Sequence, residues 1–278
     1  MGQAQPPKED RRGGRNALAE AILLRDQNTL QMVEAAVKHK QVMLAFQPVV
    51  QARRPDRMAF YEGLIRVLDD TGRVIPARDF ISAIEDTLIG RMIDCLALEK
   101  GLLALARTPS LRLAINMSAR SIGYRPWMRT LDRGLKADPT VAERLILEIT
   151  ESSAMMVPEI VTGFMGELQR KGIAFALDDF GAGFTALRHF KQFQFDILKI
   201  DGQFIRDIHA DPDNQVLTQA ILSIARQFDM FTVAENVEKA EDVAILTAMG
   251  VDCLQGYFFG APTVTPPWIE DNRARASA

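Results

Sequence analysis

Three observations in the amino-acid sequence predict an α/β fold closed into an eight-stranded barrel. Strand-like apolar runs alternate with helix-like stretches from about residue 42 to residue 257. Six helix-then-strand units follow an initial pair of strands, which makes eight strands. Polar sites lie at or near the ends of different runs: Glu62, Asn116, Glu148, the doublet Asp178–Asp179, Lys199 and Glu235, with Gln255 on a further run. Strands and helices alternating at this length build a parallel sheet with crossover helices, and eight strands favour closure. The connection QARRPDR between the first two strands is too short for a crossover helix, so that pair runs antiparallel. The expected architecture is a single-domain, modified TIM-like β/α barrel with an antiparallel first strand.

Residues 1–15 are polar and contain Pro and Arg, as a disordered tail would. From 16 to 40 the spacing of Leu18, Ile22, Leu23, Leu30, Val33 and Val37 suits an amphipathic helical segment in one or two pieces. The barrel is assigned to residues 41–264. VMLAFQPVV (42–50) and MAFYEGLIR (58–66) are its first strands. A helical stretch over 79–107 leads to LRLAINMS (111–118), and a helix near 126–137 leads to RLILEIT (144–150). Helices at 158–171, 183–192, 213–228 and 239–249 precede the strands GIAFALDD (172–179), FDILKID (195–201), MFTVAE (230–235) and VDCLQGY (251–257). Gly172 and Gly250 fall where a helix ends, a place that favours left-handed backbone. Residues 265–278 read as a polar C-terminal tail.

The net charge of −3 argues against a grip on DNA, RNA or an anionic membrane. It leaves room for a small phosphate-containing ligand. No apolar run is long enough for membrane insertion, and the polar start lacks the core of a signal peptide. Cys95 and Cys253 lie in apolar runs without CxxC spacing and read as reduced, buried thiols. The expected compartment is cytoplasmic.

The strand-end sites carry the chemistry. Period-2 alternation puts Phe60, Glu62, Leu64 and Arg66 on one face of their strand. It does the same for Ala114, Asn116 and Ser118, and for Ile197, Lys199 and Asp201. Carboxylates gathered at one barrel mouth repel each other, and a bound cation relieves that repulsion. Oxygen ligands without thiolate or imidazole select Mg²⁺ or Mn²⁺, and Ca²⁺ fits the same oxygens. The histidines His39, His189 and His209 show no ligand spacing. Adjacent carboxylates at Asp178–Asp179 can reach two metals, an arrangement that serves phosphoryl displacement by water. Lys199 would orient or deprotonate that water, or balance the developing charge.

The motifs YEGLIR (61–66), NMS (116–118), LEITE (147–151), DDFGAGFTAL (178–187), DILKID (196–201), AENVE (234–238) and QGYFFGAP (255–262) resemble those of the EAL-domain cyclic-di-GMP-specific phosphodiesterases. The resemblance runs from about residue 41 to 264. It implies a metal-dependent hydrolase in bacterial second-messenger signal transduction, converting cyclic di-GMP to linear pGpG with two Mg²⁺ or Mn²⁺ per active site and inhibited by Ca²⁺. By the same resemblance Glu62, Asn116, Glu148, Asp178, Asp179 and Glu235 ligate metal, Glu62 and Glu235 being catalytic as well, while Lys199 contacts the catalytic water and Gln255 helps to hold that water or its metal. Gln47, Leu64, Arg66 and Asp201 match positions that touch or border the substrate. Glu151 matches a residue that supports the loop after the doublet, and Glu238 one that lies near the metal through water.

The sequence departs from the family pattern in four places. Gly63 stands for the usual alanine and is expected to add backbone freedom. Asn236 stands for a glycine beside Glu235 and is expected to alter the backbone there. The doublet loop reads Ala182-Gly183-Phe184-Thr185, and Ala261 stands where arginine is frequent. The alternative function is a catalytically silent cyclic-di-GMP receptor signalling through a partner protein. Related domains pair through the region after the Asp doublet, which implies a homodimer, regulated through that pairing, the N-terminal helix or a separate partner protein.

Overall fold

The structure, a computed structural model, describes residues 16–182 and 191–269. The expected N-terminal tail, most of the helix over 183–192 and residues 270–278 lie outside the described residues.

Eight strands close into a barrel. They are β1 (Val42–Gln51), β2 (Arg54–Leu68), β4 (Leu113–Asn116), β5 (Leu145–Thr150), β6 (Ala174–Phe180), β7 (Ile197–Ile200), β8 (Phe231–Ala234) and β9 (Cys253–Gln255), and a two-residue β3 (Val74–Ile75) extends β2. From β2 through β9 neighbouring barrel strands pair in parallel. The first strand is reversed, antiparallel to both β2 and β9, and closes the ring. β2 starts at Arg54, so only Ala52 and Arg53 turn the hairpin. β2 also runs on to Leu68, which places Glu62 inside the strand and opposite Gln47. The apolar runs elsewhere are trimmed to shorter strands, because their ends turn into loops at the mouth.

The N-terminal segment is one helix, α1 (Asn16–Lys38), rather than two. Val33, Ala36 and Val37 are buried against Val42, Val67, Ile75 and Phe80. The stretch over 79–107 breaks into α2 (Ile81–Ile84) and α3 (Leu88–Arg107), since Thr87 takes extended backbone and caps Ile89 N. The outer layer continues with α4 (Arg125–Ala137), α5 (Glu151–Met156), α6 (Pro158–Gln169), α7 (Gly202–Ile205), α8 (Pro212–Gln227) and α9 (Ala240–Met249). Gly172 and Gly250 take φ of 95° and 88°, the left-handed values that let those connections reverse. Residues 265–269, expected in the tail, instead pack on the barrel. The Trp268 ring meets Phe46 and Tyr61 edge-on, with centroids at 5.2 and 4.5 Å.

Two apolar layers fix the barrel. Outward-facing strand residues such as Leu113, Leu147, Phe175 and Leu198 join the helices in the main core. Inside, Val49, Phe60, Ala114, Ile146, Ala176, Ile197 and Val233 form a plug. Phe60, Ile146, Ile197 and Val233 precede Glu62, Glu148, Lys199 and Glu235 by two positions, so the strand period stacks a polar layer on an apolar one. Among the described residues no helix is long and apolar enough to cross a membrane. Cys95 and Cys253 are free thiols, half-buried rather than fully buried.

Gly63 has a steric role, not the conformational one expected. It lies buried in β2, and a Cβ there would come within 2.7 Å of Ile115 Cδ1. Gly101 on α3 faces the same methyl, with a Cβ at 2.8 Å. Two glycines thus make room for one isoleucine. Overpacking costs about 1–3 kcal/mol, and a Gly→Ala change in a strand returns about 0.5–1 kcal/mol. Gly63→Ala is therefore expected to lower the melting temperature by about 2–4 °C, the equivalent of about 1 kcal/mol in a domain of this size. Adding Ile115→Val, which removes the crowded methyl, should restore it. An unchanged melting temperature in the single variant would remove this account.

Candidate active site

The parallel strands deliver their polar residues to one mouth, with Lys199 at the centre. Its Nζ lies 2.8 Å from Glu235 Oε1, 2.9 Å from Asp178 Oδ1, 3.2 Å from Glu148 Oε2 and 3.5 Å from Glu62 Oε2. The lysine is 1% exposed and Glu148 is fully buried. Burial works against the ammonium, but the four carboxylates, Asp178 foremost, overcome it and hold Lys199 well above an ordinary lysine.

The carboxylates divide by environment. Burial raises the proton affinity of Glu148 well above the usual range, and the neighbouring acids add to it against Lys199. Glu235 is pushed up to about 8, by burial first and then by Asp178 and Glu62. Asp179, more exposed, is pushed up to about 6 by partial burial and by Asp178. Glu62 goes the other way. Burial opposes its charge, yet Lys199 and the hydrogen bonds from Gln255 and Asn116 outweigh burial and lower it. Asn116 Nδ2 donates to Glu62 Oε1 at 2.8 Å, and Gln255 Nε2 donates to Glu62 Oε2 at 2.6 Å. Gln255 Nε2 also reaches Gln47 Oε1 at 3.2 Å, and Gln47 Nε2 donates to Gly260 O at 3.3 Å. The reversed β1 therefore joins the site through Gln47.

A pleated strand sends adjacent side chains to opposite faces, and the doublet departs from that rule. The pairing of β6 with β7 slips between Leu177 and Phe180, and Asp179 takes φ of 54°. This irregularity turns Asp179 toward the mouth. As a result carboxylate oxygens of Asp178, Asp179 and Glu235 lie within 4.8 Å of one another. Glu148 Oε1 and Gln255 Oε1 are buried without a hydrogen-bond partner. Crowded hard oxygens, raised carboxylate proton affinities and orphaned buried acceptors fit a divalent cation of the oxygen-loving class.

The remaining expected residues lie around this group. Leu64 and Arg66 continue the inner face of β2, half-buried, and Arg66 donates to Ile65 O at 3.1 Å. Asp201 caps α7 by accepting from Gln203 N at 2.7 Å. Glu151, buried at the start of α5, accepts from Gly181 N at 3.0 Å and so ties down the backbone after the doublet. Glu238 is exposed, three residues beyond Glu235. Asp94 was not anticipated. It is a half-buried acid on α3, pushed up to about 6 by desolvation, and accepts from Ser118 N at 2.9 Å and Ser121 Oγ at 2.6 Å. It thereby anchors the loop that follows Asn116, and its one sequence signal is an acid inside the apolar run RMIDCLAL. His209 is also not isolated, as its spacing had suggested. It meets Asp242 at 2.7 Å on the outer helices, where Lys239 already pairs with Asp207.

Asn236 does not redirect the backbone beside Glu235. Its φ of 55° is the left-handed value a glycine would take, and asparagine tolerates it. Its side chain lies over Gly202, where a Cβ would sit 2.1 Å from Asn236 Nδ2. Gly202→Ala is expected to destabilise the protein by about 1–3 kcal/mol through this clash. In the double variant with Asn236→Gly most of that loss should return. Denaturant unfolding of the three variants measures it, and simple additivity would contradict the assigned contact.

Comparisons with known proteins identify the family and the fold. The EAL domain model matches residues 30–262. "Signaling protein YkoW" of Bacillus subtilis is 30% identical over 84% of this chain and 30% of its own length. "Cyclic di-GMP phosphodiesterase PdeR" of Escherichia coli is 29% identical over 82% of this chain and 35% of its own. The chain thus spans about a third of the length of these curated relatives. The solved structure "PaMucR Phosphodiesterase, c-di-GMP complex" is 28% identical, with a TM-score of 0.74 over 85% of this chain and 97% of that one. With a family model matching most of its length and a barrel that superimposes on a family structure, the chain belongs to the EAL domain family.

Proposed function

We propose that this chain is a phosphodiesterase that hydrolyses cyclic di-GMP to linear pGpG at the Lys199 mouth of the barrel. The observation that carries the reading is the complete set of groups there: four carboxylates about Lys199, with Asp179, Asn116 and Gln255 beside them. The substrate is taken from the relatives, PdeR being a cyclic di-GMP phosphodiesterase and PaMucR a phosphodiesterase solved as its c-di-GMP complex.

Glu62, Asn116, Glu148, Asp178, Asp179 and Glu235 would hold two Mg²⁺ or Mn²⁺. Those ions, when bound, supply the charge that activates water and steadies the leaving oxygen. The four carboxylates around Lys199 favour its ammonium form, which suits it to donate a hydrogen bond that orients the attacking water. The water oxygen bonds to phosphorus and gives up one proton, the P–O3′ bond breaks, and the 3′-oxygen takes up a proton, so that none is gained or lost overall. Gln255 and Asn116 fix the Glu62 carboxylate from both sides. Arg66 and Leu64 border the same mouth, and Gln47 connects it to the Gly260 loop. The catalytic domain is then the barrel from residue 41 to 269, preceded by the helical segment over 16–40. In keeping with the resemblance, the chain would work as a homodimer and answer to a separate regulatory partner.

Incubation with cyclic di-GMP and Mg²⁺ or Mn²⁺, followed by chromatography, should yield pGpG, with lower turnover in Ca²⁺. Intact ligand that nevertheless binds would instead mark a silent receptor. Lys199→Ala and Glu62→Ala should each reduce turnover by about a hundredfold or more, given the worth of a preorganised charged group. Full activity in either folded variant would refute the assignment.

Proton linkage gives an independent test. Folding raises Glu235 from 4.5 to about 8, so the folded chain holds a proton there that the unfolded chain releases. Metal-free stability should therefore fall as pH rises from about 4.5 to about 8, and level off above. A divalent ion must displace that proton, so its apparent affinity should climb over the upper part of the window and protons should be released on binding. Calorimetry in buffers of different ionisation enthalpy measures the release. Metal binding without proton release near pH 7 would count against the site.

A further inference from the structure

At the opposite end of the barrel, below the apolar plug, lies a cavity of about 1150 Å³. Its ceiling is made by Phe60, Ile146, Ile197 and Val233, the layer that supports the Lys199 cluster from beneath. Strand pairing holds this layer, so the cavity is preformed. Its side wall carries the edge-on pair Tyr61 and Trp268, and Phe231 contributes a ring that is 65% exposed. A volume of this size accommodates a drug-sized molecule.

The rim is basic in an unusual way. Arg53 and Arg54 come from the β1–β2 hairpin and Arg112 from the approach to β4, and all three line the cavity. Among the described residues, none of these three side chains has a hydrogen bond or ion pair. A fourth guanidinium, Arg144, is committed to the carbonyls of Leu105, Thr108 and Leu111 at 2.8, 3.1 and 3.3 Å. The acids of the same mouth are less available. Asp196 accepts from Phe175 N at 2.8 Å, and Asp252 accepts from Thr232 N at 2.9 Å and Thr232 Oγ1 at 2.8 Å. Glu143, exposed at the rim, is the remaining carboxylate. An apolar, aromatic-walled chamber beneath uncommitted guanidiniums complements a molecule with an aromatic body and an anionic head.

We propose that the lower mouth of the barrel is a second binding site, specific for small aromatic anions such as aryl carboxylates or sulfonates. The occupant places its rings against Trp268, Tyr61 and the apolar ceiling, and its anion among Arg53, Arg54 and Arg112. The site does not rest on the catalytic reading, because none of the residues gathered around Lys199 lines this cavity.

The test uses the full chain and 8-anilinonaphthalene-1-sulfonate as the probe, followed by fluorescence. Saturable binding at one site per chain is expected. The triple variant Arg53→Gln, Arg54→Gln, Arg112→Gln changes exposed side chains only, and should raise the Kd about tenfold or more. The neutral analogue N-phenyl-1-naphthylamine should bind wild type and triple variant with the same affinity. Trp268→Ala should weaken both probes. Absence of saturable binding, or equal affinity of the sulfonate for wild type and triple variant, would overturn the proposal.

Discussion

A single ammonium, Lys199 Nζ, lies within 3.5 Å of carboxylates carried by or adjoining four different strands. Burying one charge is costly, and burying five together is tolerable only when they compensate each other. Here they compensate incompletely, since four acids face one lysine. Burial and the crowding of like charges raise the proton affinities of Glu148 and Glu235, while amide donors steady the charge on Glu62. A cation is the further relief available to that oxygen-rich group. The same imbalance that makes the cluster expensive to fold therefore suits it to a divalent cation. Each of the strand arrangements described above serves to bring these groups to one point.

Barrel topology sets the terms for that convergence. Parallel neighbours from β2 to β9 present their inner residues in register, Asn116 opposite Glu148 and Lys199 opposite Val233. A uniform barrel would give one inner residue per strand at each level. The reversed β1 and the kinked β6 break this regularity, and both breaks fall at the site. The first admits Gln47 beside Gln255, and the second brings Asp179 to the same mouth as Asp178. Beneath them the plug from Phe60 to Val233 keeps the floor dry and strengthens the electrostatics above.

The sequence conveyed the strand count, the reversed first strand and the inner-face residues because those depend on local pattern: alternation, run length and the short hairpin link. It did not convey Asp94, since an acid in a helix shows no sign of the loop it anchors across 24 residues. The left-handed Asp179 was hidden for a related reason: a bulge arises from how two strands register, not from either alone. Trp268 looked like part of a polar tail because its neighbours are polar, while its ring finds Phe46 and Tyr61 far away in the chain. His209 lacked ligand spacing for the same reason, its partner Asp242 being 33 residues on.

The departures at Gly63 and Asn236 show why single-residue differences from a family pattern are poor guides to loss of function. Each has a structural counterpart. The missing methyl at Gly63 matches the δ-methyl of Ile115, which also needs Gly101. The added side chain of Asn236 matches the missing one at Gly202, and its left-handed backbone keeps the path into Val237 that a glycine would give. In both pairs volume is exchanged between neighbours while the strand path stays where the carboxylates require it. Glu62 adjoins the first exchange and Glu235 the second, and both still reach Lys199. The position of the carboxylates around Lys199 thus depends on the fit of each neighbouring pair, not on either residue of the pair taken alone.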